Sequence, residues 1–176
     1  QEIKTKIRIA NSAMSVTSLA LLAARDWKLF YERALEPEII LMSPALTVPA
    51  MISGEIDYFA GVGPGVASAS LSGLPFRADW VSSDRVSYSL VANPKFKTLQ
   101  DLKGKKIGVS FRGSTFAGTK ALLELYKMNP EKDVQYVSIP GSQPKIAAMQ
   151  QGIIQAALLA PPSDYVAIKA GFKRLG

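Results

Sequence analysis

Apolar and polar residues alternate along this chain in short runs, and those runs are separated by glycine, proline and small hydroxyl residues. From Lys4 to Ala10 the pattern is strict, with Ile7 and Ile9 set against Lys6 and Arg8, which predicts a strand. After the polar stretch Asn11 to Ser15, apolar positions recur at helical spacing through Leu19, Leu22, Ala23, Trp27 and Phe30, predicting a helix over 16–33. A strand is expected at 38–42 and a helix at 44–53. Pro44 suits an early helical position there, and Gly54 suits the left-handed cap. A strand over 56–60 ends at Gly61-Val62-Gly63-Pro64-Gly65, and a helix restarts over 66–71. Strands are expected at 76–82 and 88–91. The second half repeats the rhythm: a short helix at 98–102, strands at 106–110, 134–139 and 154–159, and helices at 114–128, 142–151 and 165–170. Such alternation predicts an α/β fold with parallel-type sheets flanked by helices.

The two halves echo each other. Ala50-Met51-Ile52-Ser53-Gly54-Glu55-Ile56 and Ala148-Met149-Gln150-Gln151-Gly152-Ile153-Ile154 share one pattern, and Lys6-Ile7-Arg8-Ile9-Ala10 resembles Lys106-Ile107-Gly108-Val109-Ser110. Two similar lobes are therefore expected, with Ile7 and Ile107 on equivalent strands: residues 1–86, residues 87–164, and a segment 165–176 that begins a return to the first lobe. A cleft between lobes, hinged at 82–87, is the natural ligand site for such an arrangement.

Composition narrows the chemistry. The 176 residues are 48% hydrophobic and 20% charged, ordinary for a globular protein. The net charge of +7 is scattered, without a basic arm or aromatic ladder, which favours small anions over nucleic acid. With no cysteine there are no disulfides, thiolate metal sites or thiol nucleophiles. The absence of histidine removes the commonest general base and metal ligand, so neither a metal nor a cofactor is expected. The longest apolar run, Leu19 to Ala24, is too short to span a bilayer. No signal-peptide pattern opens the sequence, so a signal is expected to be absent or already removed.

One stretch raises a specific question. Gly113 to Lys120 nearly matches the phosphate-binding loop, but Thr119 and Lys120 are exchanged relative to that pattern. A shift of one residue turns a helical side chain by about 100°, which weakens a nucleotide reading. Backbone N–H groups at Gly113 to Thr115 are the stronger candidate anion holders, with Lys120 pointing elsewhere. Ser114 and Thr115 contact ligand on this reading or simply cap their own helix. Ser12, Met14 and Ser15 occupy the matching turn of the first half; Gly61 and Gly63 form a third turn, and Pro162 a fourth. For each of these, ligand contact and a local structural role both stand.

An ordered set of motifs resembles a known family. Lys6-Ile7-Arg8-Ile9, Gly54-Glu55-Ile56-Asp57, Gly73-Leu74-Pro75, Leu102-Lys103-Gly104-Lys105, Gly113-Ser114 and Gly171-Phe172-Lys173 together are similar to the type II periplasmic solute-binding proteins of ABC importers. Within them, the nitrate, sulfonate, taurine and thiamine-precursor group is the nearest match. The resemblance implies a non-catalytic, extracytoplasmic protein that captures a small anionic or zwitterionic ligand and hands it to a membrane permease. It also implies a chain that returns to its first lobe, so an incomplete first lobe and self-association are expected here. Family members carry a glycine near the end of the first helix, where this sequence has Trp27-Lys28-Leu29-Phe30. Alternatives are a thiamine-pyrimidine synthase-like enzyme, whose chemistry draws on histidine, and a P-loop phosphotransferase.

Overall fold

The computed structural model describes residues 5–12, 16–61, 64–81 and 87–175. The chain divides into two compact units, Gln1–Asp84 and Arg85–Gly176.

In the first unit, β1 (Thr5–Asn11), β2 (Leu35–Leu41) and β3 (Tyr58–Ala60) form a parallel sheet in the order β2-β1-β3. Helices α1 (Leu19–Asp26), α2 (Pro44–Ile52) and α3 (Pro64–Leu71) belong to the same unit. The helix expected over 16–33 is instead three pieces, because short 3₁₀ turns at Val16–Ser18 and Tyr31–Arg33 flank α1. Lys28 breaks it: its φ of +62° is the left-handed conformation that a glycine adopts without strain. Pro37 is tolerated in β2 because that strand lies at the sheet edge. The strand expected over 76–82 does not form in its described part. There the backbone is held by α3, with Ser70 Oγ donating to the Phe76 carbonyl at 3.0 Å, while Trp80 and Val81 stay exposed.

The second unit holds a five-stranded sheet in the order β6-β5-β7-β4-β8, made of β4 (Ser89–Ala92), β5 (Lys106–Val109), β6 (Gln135–Ser138), β7 (Ala156–Leu159) and β8 (Lys173–Arg174). Its helices are α4 (Ser114–Leu125), α5 (Ser142–Gln150) and α6 (Ser163–Lys169), and the turn expected at 98–102 is 3₁₀ over Gln100–Leu102. The sheet is mixed rather than wholly parallel, since β4 runs antiparallel to both β7 and β8. Strand residues alternate between two cores. Leu90, Ile107, Val109, Ala156 and Leu158 pack with Leu123 of α4 and with Leu99 and Leu102, whereas Val91, Ala157 and Leu159 pack with Ile146 and Met149 of α5 and Ala167 of α6. Covering both faces leaves the strand ends as the accessible edge.

The internal echo is a structural repeat. The order β2-β1-β3 is matched by β6-β5-β7, and the helix–glycine–strand joints match bond for bond. Gly54 and Gly152 both take φ +72°, and the next N–H groups, of Glu55 and Ile153, return to the carbonyls of Ala50 and Ala148 at 2.9 Å each. The register of the strand echo differs from expectation. Ile9 faces Tyr58 as Ile107 faces Ala156, so Ile9 rather than Ile7 is the counterpart of Ile107. Arg8 and Asp57 exchange the same backbone and side-chain bonds as Lys106 and Gln155. A slip of two residues preserves which face every side chain occupies, so alternation alone does not reveal it.

Candidate functional site

The strongest site candidate grows out of the end of β5. In both units the chain leaves its central strand to one side and later returns on the other, which creates a switch point between β5 and β7, and between β1 and β3. Open α/β sheets bind ligands outside the carboxyl ends of strands at such points. After Val109 the chain turns through Ser110 to Gly113 and enters α4 at Ser114. Arg112 takes φ +60° in that turn, and the Gly113 N–H donates to the Ser110 carbonyl at 3.0 Å. This corrects one expectation, because the Gly113 N–H is consumed inside the turn. The N–H groups of Ser114 and Thr115 have no acceptor among the described residues, as the first turn of a helix requires. The Ser114 hydroxyl shares a 2.6 Å hydrogen bond with the Tyr88 hydroxyl, and so holds α4 to the start of β4.

Under this turn lies a residue that the sequence reading passed over. Lys145, in the first turn of α5, is only 2% exposed. Its ammonium donates to Ser110 Oγ at 3.2 Å and to Thr115 Oγ1 at 3.4 Å. No carboxylate among the described residues pairs with it. Burial alone pushes its amine down from 10.5 to about 8. The stem passes β5 at Gly108, where an added Cβ would touch Lys145 Cγ at 3.5 Å and stand 2.5 Å from Ile154 Cδ1, so a side chain there would displace Ile154. A signal was present, because Lys145, Ala148 and Met149 fall on one helical stripe, and all three are buried.

The phosphate-loop pattern is accounted for by packing. Gly118 lets α4 close on β7, since a Cβ there would sit 3.0 Å from Leu158 Cδ2. Thr119 is fully buried and its hydroxyl donates to the Thr115 carbonyl at 2.7 Å. Lys120 pairs with Glu131 and lies over the Phe116 ring at 4.7 Å. Neither side chain is placed as a nucleotide loop requires.

The other predicted positions fall as follows. Ser114 and Thr115 stand together at the mouth of the β5 turn. Pro162 is exposed at the end of β7, on the same sheet edge, ahead of Ser163 and Asp164. Asp164 is buried, accepts a hydrogen bond from Ser89 Oγ at 3.1 Å, and pairs with Arg174 at 2.7 Å, a bond set that ties α6 to β4 and β8. In the first unit Ser12 and Gly61 meet, because a Cβ on Gly61 would lie 3.1 Å from Ser12 Oγ. Ser18 Oγ donates to the buried Asn11 side chain at 2.9 Å, bracing the same turn. The counterpart of Lys145 in the repeat is Thr47, also buried. Met14, Ser15, Gly63 and residues 82–86 of the hinge expected at 82–87 lie outside the described residues. Phe116 packs edge-on between Phe111 and Tyr136, a local cluster. Tyr165 is exposed. Among the described residues no acidic cluster suited to a metal is present.

Comparison with known proteins places this arrangement. The family model described as NMT1/THI5 like matches residues 16–172. No curated protein matches the sequence. A solved structure from Bordetella bronchiseptica RB50 superposes with a TM-score of 0.85 at 21% identity, over 99% of this chain and 57% of that one. The alkanesulfonate-binding protein SsuA from Xanthomonas axonopodis pv. citri, bound to MOPS, gives 0.77 at 21% identity, over 97% of this chain and 60% of its own. The periplasmic aliphatic sulphonate binding protein SsuA from Escherichia coli gives 0.67 at 20% identity, over 97% and 59%. The chain thus spans less than two thirds of each of these structures. At such identities the likeness establishes the fold, an α/β arrangement shared with periplasmic binding proteins. With the family model covering most of its length, the chain belongs to the NMT1/THI5 like family.

Proposed function

We propose that this protein is the solute-binding component of an ABC-type importer, taking a small anion at the β5 turn and passing it to a membrane permease outside the cytoplasm. The observation that carries the reading is the pair of N–H groups at Ser114 and Thr115, which have no acceptor among the described residues, set above the buried ammonium of Lys145, which no carboxylate among them pairs. A helix N-terminus favours an anion by roughly 0.3 to 1 kcal/mol, approaching about 2 when partly buried. Each charge-assisted hydrogen bond adds roughly 1.5 to 3. Donors gathered over an ammonium that is itself engaged with Ser110 and Thr115 suit recognition rather than bond-breaking. The sulfonate-binding proteins among the structural neighbours make a sulfonate the first ligand to try, with nitrate, taurine and carboxylates behind it.

Thermal-shift and calorimetric titration against these anions test the reading. Ser114→Pro removes one donor, so affinity should fall by about tenfold or more. Lys120→Ala should change it by less than about threefold, because Lys120 is already engaged with Glu131. The reverse ranking would favour a phosphate-loop protein. Binding of none of the anions would remove the proposal.

A further inference from the structure

We propose that Lys145 is the positioning residue of this site: it never touches the ligand, but fixes the Thr115 hydroxyl as an outward donor, so that the site favours anionic oxygens. The inference rests on the binding role proposed above and adds what enforces its selectivity.

The argument is a count of lone pairs and protons. A hydroxyl offers two acceptor sites and one hydrogen. Thr115 Oγ1 already accepts the Ser110 N–H at 3.1 Å and the Lys145 ammonium at 3.4 Å. Both acceptor sites are spent, so the remaining hydrogen must donate, and no acceptor for it occurs among the described residues. Ser110 differs, for its hydroxyl accepts from Lys145 and spends its one hydrogen on the Ile139 carbonyl at 3.4 Å, so it has no hydrogen to offer a ligand and keeps one acceptor site, beside the ammonium. The mouth of the turn therefore presents the Thr115 O–H and the N–H groups of Ser114 and Thr115, all donors. A neutral amine or amide nitrogen that must itself donate is left with the second acceptor site of Ser110, next to the Lys145 ammonium, and a poorly matched polar group is disfavoured.

Charge works in the same direction. A buried ammonium facing only hydroxyls lacks a counter-ion, and an anion at the mouth supplies one. Gly108 of β5, Ser110 of the turn after it and Thr115 of α4 lie against Lys145, and Ile154 ahead of β7 meets the same point of β5; none is titratable, and burial rather than a charged group shifts the amine. Asp164, the buried acid of this unit, is committed to Arg174 and Ser89, and Arg112 in the turn is exposed. Burial alone sets the titration of Lys145 near 8. Losing its proton frees the Thr115 hydroxyl to turn inward and donate to the bare amine. Affinity for an anion should then be greatest below about pH 8 and fall above it, by up to tenfold per pH unit while one proton is linked to binding.

The test uses butanesulfonate, which does not titrate in this range, and butanesulfonamide as its neutral counterpart, in amine buffers free of sulfonate. The intact chain should bind butanesulfonate with affinity falling above about pH 8 and with proton uptake at that pH, read from calorimetry in two buffers of different ionisation enthalpy. The sulfonamide should bind at least about a hundredfold more weakly. Lys145→Met should lower sulfonate affinity at pH 7 by about tenfold or more and flatten the pH profile. Thr115→Ser should stay within about threefold of wild type, and Thr115→Val should match Lys145→Met. If wild type binds the sulfonate with neither proton uptake nor a decline above pH 8, or binds the sulfonamide equally well, this inference fails and the binding role stands. Unchanged affinity and profile in Lys145→Met has the same meaning. If wild type binds neither the sulfonate nor sulfate, the binding role itself fails and takes this inference with it. Should Lys145→Met not fold, the wild-type proton uptake and the sulfonamide comparison still decide.

Discussion

Replacing Lys145 with methionine should make the second unit more stable at pH 7, although it removes two hydrogen bonds. Methionine matches the length of the lysine stem and keeps its packing past Gly108. What it removes is a charge held out of water. The fall of the amine from 10.5 to about 8 corresponds to about 3 kcal/mol of folding free energy given up at neutral pH. Against this stand the bonds to Ser110 and Thr115, long at 3.2 and 3.4 Å, together worth about 1 to 2 kcal/mol. The expected net gain is about 1 to 2 kcal/mol. The sign reverses with pH. Between about 8 and 10.5 the unfolded chain still holds the proton that the native state has lost, so wild-type stability climbs through that window and the variant's advantage disappears. Tryptophan fluorescence is the wrong probe, since Trp27 and Trp80 both lie in the first unit. Hydrogen exchange of the β5 peptide, residues 106–110, combined with urea unfolding followed by circular dichroism, reports on the right region. A variant more than about 1 kcal/mol less stable at pH 7, with the same deficit at pH 10.5, would refute the reasoning and make Lys145 a structural anchor.

Three further outcomes are expected. Gly108→Ala places a methyl 2.5 Å from Ile154 Cδ1, a side chain only 1% exposed, and should lower the urea stability of the second unit by about 1 to 3 kcal/mol. Asp164→Asn leaves Arg174 without its ion pair. Because that arginine is 47% exposed and rehydrates, the loss should be about 1 to 2 kcal/mol, read as earlier exchange of β8 and α6. Gly61→Ala drives against Ser12 Oγ and the Phe59 ring and should lower the urea stability of the first unit by about 1 to 3 kcal/mol without altering exchange at β5.

The sequence by itself determined what depends on neighbours along the chain. Alternation at Lys106–Val109 and the helical stripe of α4 follow from which side chains a strand or helix presents to one face, and that is local geometry. The repeat was legible for the same reason, because Gly54 and Gly152 do one conformational task at one place in each half. The tertiary structure decided everything set by contacts across the sheet. Strand direction leaves no mark in an alternating pattern, so the antiparallel β4 was invisible, and a two-residue register shift keeps the faces unchanged, so Ile9 rather than Ile7 emerged as the partner of Ile107. The expected strand over 76–82 carries suitable residues but, in its described part, finds no neighbouring strand, because its backbone is bonded to α3. At the site, the turn after β5 was readable from Gly113-Ser114-Thr115, yet which N–H groups remain unpartnered depends on the fold of the turn itself. Lys145 shows the limit most sharply. A lysine reads as solvated in sequence, and only the packing of α5 against β5 carries its ammonium under the turn to Ser110 and Thr115, where burial changes its titration and gives the site its sign.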